Sequence, residues 1–148
     1  MTISLNHTIV HVTDAAGTAA FYVDILGLAP ARRLAHFTIV QVGETSLDLI
    51  EASAPISSRH FAFLVSESEF DEIFARIKSK DLAYWADPFH KEPRAINRWD
   101  DGRGVYFDDP NGHLLEVITR PYGAGGLEAE HPNPLLSQQR HRENAISP

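Results

Sequence analysis

Two histidines and two carboxylates occupy matching places in short apolar segments of this sequence. His7 lies in LNHTIVHV and His60 begins HFAFLV, while Asp48 lies in SLDLI and Glu116 in LLEVI. A carboxylate within an apolar strand needs a partner, because burying an unpaired charge is costly or shifts its pKa. Imidazole and carboxylate groups together suit a divalent ion in an open site that leaves positions for water or substrate. These four residues are therefore candidate metal ligands.

An internal repeat must position these residues. Each histidine begins an alternating strand, and a helix follows: AAGTAAFYVDILGL after Asp14 as N-cap, and EFDEIFARIKSK after Ser66 or Ser68, with Gly27 as the stop of the first. Short strands are then predicted at 32–35, 38–42 and 46–51 in the first half, and at 82–85, 103–107 and 113–119 in the second. The sequence thus predicts an α+β fold of two β-α-β-β-β modules.

Both helices carry an apolar stripe at helical spacing. The expected core positions are Ala20, Phe21, Ile25 and Leu28 in the first helix, and Phe70, Ile73, Phe74 and Ile77 in the second. Phe21 and Phe74 each follow the strand histidine by 14 residues, which supports the repeat. Four other histidines are expected to be exposed to solvent, namely His36, His113, His131 and His141.

Pairing of the two halves decides what the candidate ligands can do. If the halves pair about a pseudo-two-fold axis, their first and last strands converge, and His7, His60 and Glu116 face one centre, with Asp48 as an optional fourth ligand. A site with open positions is catalytic rather than structural. The alternative is that the carboxylates lie on the outer, solvated face of an edge strand.

Composition excludes several classes of protein. The 148-residue chain has no cysteine, which rules out disulfides, thiolate-bound metals and a cysteine nucleophile. The net charge is −7 and the longest basic run is Arg32–Arg33, which argues against nucleic acid and anionic membrane as partners. The N-terminal residues lack a basic, apolar leader, and no apolar stretch is long enough to span a bilayer. We expect a cytoplasmic protein that binds a small-molecule substrate.

The second half is longer than the first. His7 and Asp48 are 41 residues apart, whereas His60 and Glu116 are 56 apart, and the extra residues fall in ADPFHKEPRAINRWDD. An insertion of this composition is expected to form a loop over a site, with an aromatic wall and hydrogen-bonding groups for a small aromatic or polyoxygenated substrate. The candidate substrate-binding residues are His11, Trp85, His90, Asn97, Arg103 and Tyr106.

The sequence resembles the vicinal oxygen chelate superfamily, which includes glyoxalase I, extradiol dioxygenases, and the fosfomycin- and bleomycin-resistance proteins. The motifs that carry the resemblance lie within residues 4–121: LNHTIVHV, FYVDILGL, RHFAFLV and YFDDPNGHLLEVI. The resemblance implies that His7, His60 and Glu116 are metal ligands. It also implies two βαβββ modules pairing into a cup-like mixed sheet, often completed across a homodimer.

Family members differ in their chemistry, and the resemblance leaves three functions open. In glyoxalase I the fourth ligand falls on Asp48, and a ligand carboxylate such as Glu116 or Asp48 also moves a proton. We therefore expect first a glyoxalase I-like enzyme acting on a small substrate with vicinal oxygens, by proton transfer, isomerisation or lyase chemistry. The alternatives are a ring-cleaving extradiol dioxygenase and a non-catalytic binding or resistance protein. The expected cofactor is a divalent ion: Zn, Ni, Fe(II) or Mn.

Domain boundaries follow from the repeat. Residues 1–123 are expected to form the vicinal oxygen chelate domain, with modules at about 4–52 and 58–121. The polar, Gly- and Pro-rich residues 124–148 are expected to form a tail that docks on a neighbour, and not a further domain.

Overall fold

The computed structural model describes residues 2–136, in which two β-α-β-β-β modules follow one another. Within this range the first unit contains residues 2–59 together with Asp108–His113, and the second contains residues 60–107 and 114–136. The predicted α+β class is confirmed, because each unit carries one four-stranded mixed sheet and one α-helix. The module and tail boundaries stay predictions.

The first unit contains β1 (His7–Val12), α1 (Ala15–Leu26), β2 (Arg32–Leu34), β3 (Phe37–Val42) and β4 (Thr45–Glu51). Its strand order is β1-β4-β3-β2, with β1 parallel to β4 and the other neighbours antiparallel. Along β1 the residues alternate: Val10 and Val12 are buried, whereas His7, Ile9 and His11 are exposed on the opposite face. This alternation places both β1 histidines on one face of the sheet.

The second unit contains β5 (His60–Leu64), α2 (Glu67–Ser79), β6 (Tyr84–Trp85), a 3-10 turn (Trp99–Asp101), β7 (Gly104–Asp108) and β8 (Leu114–Ile118). Its strand order is β5-β8-β7-β6, with β5 parallel to β8 and β6 antiparallel to β7. The two sheets therefore repeat the same arrangement, in which the first strand of each module lies beside the last.

Helix termini form where the sequence predicts them. Asp14 accepts a hydrogen bond from the backbone N–H of Gly17 at 3.0 Å, and Gly27 ends α1 in the left-handed region with φ of 70°. Ser66 is the N-cap of α2, and Glu69 completes a capping box with it. Each cap satisfies backbone groups that have no partner within the helix.

The buried side of α1 is rotated relative to the prediction. Its buried residues are Ala15, Thr18, Ala19, Tyr22 and Ile25. Ala20 is exposed, and Phe21 and its counterpart Phe74 are only half-buried, so their assignment to the core was wrong. The physical reason is that Tyr22, not Phe21, points into the first unit, where Asp109 accepts its hydroxyl hydrogen at 3.0 Å.

Residues Asp108–His113 pack densely in the first unit. The side chain of Asn111 accepts from the backbone of Thr13 at 2.8 Å and donates to the hydroxyl of Thr18 at 3.0 Å. Asp109 accepts from Tyr22 on one oxygen and from the backbone N–H of His113 on the other. The DPNGH segment is thus a structural loop whose side chains bind β1 and α1 residues and the segment that joins them.

His113 is fully buried, which contradicts its predicted exposure. Its Nδ1 accepts from the backbone N–H of Arg59 at 3.0 Å, and its Nε2–H donates to the carbonyl oxygen of His11 at 2.8 Å. These two bonds define a neutral tautomer whose polar atoms are both satisfied. His36 and His131 are exposed as expected, and His141 lies outside the described residues.

Neither helix of the described residues is long and apolar enough to cross a membrane.

Candidate metal centre

His60 and Glu116 meet on adjacent strands of the second unit. In the parallel register of β5 and β8, His60 lies opposite Leu114 and Glu116 lies opposite Ala62. Both side chains point to the same face, and Nε2 of His60 lies 3.2 Å from Oε2 of Glu116. The His60 side chain is 46% exposed and that of Glu116 is 11% exposed. The predicted pair is therefore formed, with one member open to solvent.

Hydrogen bonding determines the protonation of the His60 ring nitrogen that faces the Glu116 carboxylate. Its Nδ1 lies 3.0 Å from the carbonyl oxygen of Leu114, and a carbonyl oxygen only accepts, so Nδ1 carries the hydrogen. In the neutral ring, Nε2 then turns a lone pair towards the Glu116 carboxylate. Two acceptors facing each other require a positive charge between them, either a proton or a metal ion.

The donor set fits a divalent ion. Two adjacent ligands at right angles, each about 2.1 Å from a metal, lie about 3.0 Å apart. The observed Nε2–Oε2 separation is 3.2 Å. A ring whose Nδ1–H is held by a backbone carbonyl is also the usual arrangement of a metal-binding histidine. A protonated imidazole fits the same distance as an ion pair, so the geometry accepts either cation.

Tyr106 lies beside this pair. Its ring stacks on that of His60, with centroids 6.1 Å apart and planes inclined by 23°. Burial raises the pKa of Tyr106 above its usual range, and interaction with the Glu116 carboxylate raises it further. The hydroxyl therefore keeps its proton beside the carboxylate.

Aromatic rings extend the same face away from the pair. Trp85 lies opposite Tyr106 in the antiparallel register of β6 and β7, and the edge of Trp99 meets Tyr106 with centroids 6.1 Å apart. His90 stacks on Trp85 at 3.7 Å with planes inclined by 16°. We call Trp85, His90, Trp99 and Tyr106 the aromatic wall. It presents flat apolar surface next to the candidate metal ligands.

The inserted loop is held by a residue that was not among the sequence-based candidates. The carboxylate of Asp87 accepts from the backbone N–H groups of Phe89, Lys91 and Glu92 at 2.7–3.0 Å. Burial acts to raise the pKa of Asp87, but these backbone hydrogen bonds outweigh it and the pKa is lowered. The Asp-Pro dipeptide that opens the insertion is a known turn signal and could have identified this residue.

The other two predicted ligands lie in the first unit. His7 is exposed at the start of β1, and its Nδ1–H donates to the side-chain oxygen of Asn6 at 2.7 Å, which leaves the lone pair of Nε2 available. Asp48 lies opposite Ile9, which gives it the same offset from His7 that Glu116 has from His60. Its carboxylate accepts from the Ser46 hydroxyl at 2.7 Å.

Three predicted substrate-binding residues lie elsewhere. His11 borders a cavity of about 420 Å³ in the first unit, together with Ile9 and Arg59. Asn97 is buried, and its side chain donates to the carbonyl oxygen of Ala86 and accepts from the backbone N–H of Trp99. For these two residues and for Arg103, substrate binding stays a prediction.

Arg103 binds helix α2. Its guanidinium donates to the carboxylates of Glu67 and Asp71, each at 2.7 Å, and to the carbonyl oxygen of Glu67. It also lies over the ring of Phe70, 4.4 Å from the centroid. These contacts take up the side chain on the helix side of the unit, whereas Tyr106, three residues on, contacts Glu116.

Among residues 2–136, no three His, Asp or Glu side chains are placed together to hold a metal ion. The four predicted ligands divide evenly, with His7 and Asp48 in the first unit and His60 and Glu116 in the second. Within the second unit, the structure brings together His60, Glu116, Tyr106, Trp85 and His90 of the predicted site residues.

Comparisons with known proteins cover most of the chain. The family model of the Glyoxalase/Bleomycin resistance protein/Dioxygenase superfamily matches residues 4–117. Metallothiol transferase FosB of Shouchella clausii (strain KSM-K16) is 32% identical over 124 residues, which span 78% of this chain and 79% of that protein. The solved structure of Oxidase ChaP-H1 is 54% identical with a TM-score of 0.80, covering 82% of this chain and 99% of that chain. Oxidase ChaP-H2 is 51% identical with a TM-score of 0.82, covering 85% and 100%.

Proposed function

Because this chain belongs to the Glyoxalase/Bleomycin resistance protein/Dioxygenase superfamily, we propose that it is a metal-dependent enzyme that oxidises a small aromatic substrate with dioxygen. The observation that carries the proposal is the contact of His60 with Glu116 beside the aromatic wall. Similarity at 54% identity to a protein named an oxidase supports oxidation as the reaction. The relatives compared do not single out glyoxalase I chemistry.

The proposed ligands are His7, His60 and Glu116, with Asp48 as an optional fourth. Two imidazoles and a carboxylate form the ligand set typical of non-haem Fe(II) enzymes, so Fe(II) is the first choice among Zn, Ni, Fe(II) and Mn. When bound, Fe(II) supplies electron transfer to dioxygen. The metal-binding nitrogen of each histidine is Nε2, because Nδ1–H is engaged by Asn6 in one and by Leu114 in the other.

The chain's own residues have separate tasks in this proposal. Tyr106 keeps its proton beside Glu116 and is the hydroxyl available to orient that carboxylate. Trp85 and Trp99 offer faces on which a planar substrate stacks, and His90 extends the face of Trp85. In the oxidase reaction the substrate loses two hydrogens, and dioxygen takes them up as hydrogen peroxide. In the dioxygenase reaction both oxygen atoms instead enter the product.

Assembly and location are part of the proposal. We expect a homodimer, because Ile9, Leu34 and Leu64 are more than half exposed on strands of the two sheets. Sedimentation at micromolar concentration tests the dimer, and a monomer at that concentration contradicts it. A cytoplasmic location stays a prediction, to be tested by cell fractionation.

Oxygen uptake tests the proposed reaction. Purified apoprotein is loaded anaerobically with Fe(II), Mn(II), Ni(II) or Zn(II) and mixed with a panel of catechols, hydroquinones and polycyclic phenols. We expect uptake with at least one aromatic compound and one redox-active metal, and none with Zn(II). Mass spectrometry distinguishes loss of two hydrogens from addition of two oxygen atoms.

Two variants make the assay specific. Glu116→Gln keeps the shape of the side chain but removes its charge, so it should abolish uptake together with metal binding. Glu72→Gln on the exposed surface of α2 is the matched control and should behave as wild type. Uptake that is unchanged in Glu116→Gln, or full metal occupancy in His60→Ala, contradicts the proposed site.

Glyoxalase I-like proton transfer is the second candidate, because Asp48 and Glu116 occupy the same register position in the two sheets. Metal-dependent exchange of substrate hydrogen with solvent deuterium, without oxygen uptake, would favour it. Ligand binding that is insensitive to chelators and produces no turnover would instead favour a non-catalytic binding protein.

A further inference from the structure

The 3-10 turn that carries Trp99 is held by the segment after β8. We propose that Asp100 is a positioning residue that fixes Trp99 against Tyr106, so that residues 120–133 form a brace behind the aromatic wall. The role of Trp99 as a wall residue rests on the proposed function. The coupling between Asp100 and the Trp99 ring is independent of the reaction.

The carboxylate of Asp100 binds the brace directly. Asp100 is 2% exposed, and its Oδ2 and Oδ1 accept from the backbone N–H groups of Gly123 at 2.8 Å and Gly125 at 3.0 Å. The side chain of Asn133 approaches Oδ2 at 3.4 Å. A buried carboxylate is stable only with such donors, so these bonds specify the path of the brace.

The backbone of Asp100 binds the same segment. Its N–H donates to the carbonyl oxygen of His131 at 2.8 Å, and its carbonyl oxygen accepts from the guanidinium of Arg120 at 2.7 Å. Main-chain and side-chain groups of this one residue therefore bind positions from 120 to 133. A change in the brace therefore acts directly on Asp100 at the centre of the turn.

The turn itself is in a costly conformation. Asp100 and Asp101 have φ of 60° and 58°, in the left-handed region that residues other than glycine rarely adopt. Such a conformation persists only where surrounding contacts impose it. Asp101 also binds the brace, through the backbone N–H groups of Glu130 at 3.1 Å and His131 at 2.8 Å. Without the brace, the turn is expected to relax.

Relaxation of the turn would move Trp99 first. Trp99 directly precedes Asp100, and its ring meets Tyr106 edge-on at 6.1 Å. Its backbone N–H donates to Asn97 at 3.2 Å, which anchors the N-terminal side of the turn only. The C-terminal side is anchored to the brace by Asp100, which follows Trp99 directly, and by Asp101 beyond it. The orientation of the Trp99 ring thus depends on a residue that does not itself face the candidate ligands.

Close packing at Gly125 supplies a second way to disturb the brace. A Cβ atom at this position would lie 2.8 Å from the Cα of Asp100 and 2.9 Å from the Cβ of Ala129. Gly125 is not among the glycines with positive φ, so an alanine there is excluded by contact and not by backbone conformation. Gly125→Ala should force the brace and the turn apart without removing any atom of Asp100.

Fluorescence tests the coupling without any substrate. The sequence has two tryptophans, so Trp85→Phe leaves Trp99 as the single reporter. In that background, Asp100→Ala should shift Trp99 emission to the red and raise its quenching by acrylamide, with unchanged far-ultraviolet circular dichroism. Asp101→Ala is the matched control, because it places the same residue at the same φ, and it should change both signals less.

Gly125→Ala keeps the test decisive if Asp100→Ala fails to fold. It should reproduce the red shift, while Ala124→Ser at the exposed neighbouring position should not. Trp99 emission that stays unchanged in folded Asp100→Ala or Gly125→Ala overturns the proposal.

Kinetics separate this proposal from the proposed function. In the background with Trp85 intact, Asp100→Ala should raise KM for an aromatic substrate severalfold and change kcat little, since the metal ligands are untouched. An altered kcat with unchanged KM argues against a positioning role. If no aromatic compound is turned over, the proposed function fails, yet the emission result still decides whether Asp100 positions Trp99.

Discussion

Ser46 donates its hydroxyl hydrogen to the carboxylate of Asp48 at 2.7 Å, so the two side chains form a closed pair on β4. Glu116 has the same place in the second sheet but instead contacts His60, with Tyr106 as a neighbour. The two carboxylates that look equivalent in sequence therefore have different partners. Only Glu116 is already placed against an imidazole nitrogen that can bind metal.

This difference predicts unequal effects on metal affinity. Glu116→Gln should weaken binding of Co(II) by more than about tenfold, whereas Asp48→Asn should weaken it by less than that. Tyr106→Phe, which frees the Glu116 carboxylate, should lie between them. Titration followed by the Co(II) absorption bands measures all three. Equal losses in Glu116→Gln and Asp48→Asn would show that both carboxylates bind the metal directly.

The buried hydroxyl of Tyr22 should make the protein less stable at alkaline pH. Burial raises its pKa above the usual range, and the charge of Asp109 and the hydrogen bond to it raise the pKa further. The unfolded chain therefore loses this proton near pH 10, while the folded chain keeps it. The free energy of unfolding should fall as pH rises above about 10, by at most about 1.4 kcal/mol per pH unit from this group.

Denaturant unfolding between pH 8 and 11.5 measures this dependence. Tyr22→Phe should be less stable at pH 8 but should show a shallower fall above pH 10. Tyr106 contributes in the same direction because its pKa is also raised, so some dependence should remain in the variant. A slope in Tyr22→Phe as steep as in wild type would contradict the prediction.

Substitution of His113, which has no role in the proposed reaction, should lower the stability of the protein strongly. His113→Phe leaves the N–H of Arg59 and the carbonyl oxygen of His11 without their partners, which should cost about 2–4 kcal/mol of unfolding free energy. His36→Phe, at an exposed position, should change stability by less than about 0.5 kcal/mol. Chemical denaturation compares the two, and similar values would mean that His113 is not buried as described.

Substitution of Arg103 should lower the stability of the protein without weakening substrate binding. Arg103→Met keeps the apolar stem over Phe70 but removes the ion pairs to Glu67 and Asp71. Those partners are mostly exposed, so the loss should be only about 1 kcal/mol. KM for any substrate found should stay within twofold, as about 0.4 kcal/mol corresponds to that factor. A large rise in KM would instead support the predicted substrate-binding role of Arg103.

Alternation along the strands explains both what the sequence predicted and what it missed. The repeat predicted that the first and last strands converge and bring His60 and Glu116 to one centre. In the structure these two strands are parallel neighbours within the second unit, and the two side chains are 3.2 Å apart. Yet His113 shares its parity with Leu115 and Val117, both of which are fully buried, so the same alternation could have predicted its burial. For His113, the burial pattern of the following strand outweighs the exposure expected of a residue next to a turn.

The turn at Asp100 and Asp101 could not be predicted from the residues next to it in the sequence. Asp100 and Asp101 adopt left-handed conformations that favour glycine, and their donors come from residues more than 20 positions away. Ser66 and Gly27 were identified because capping depends on a few neighbouring residues. Long-range pairing of a carboxylate with backbone N–H groups depends on the path of the whole segment, which residue types do not specify.

The placement of Asp108–His113 in the first unit makes one half of the gene depend on the other. The N-terminal half looks like a self-contained copy of a duplicated ancestor, but the acceptor for its buried Tyr22 hydroxyl is encoded in the C-terminal half. An isolated N-terminal half would lack the Asp109 carboxylate that accepts this hydrogen bond. Separating the two halves of the gene would therefore take from the first unit an acceptor that its own part of the sequence does not encode.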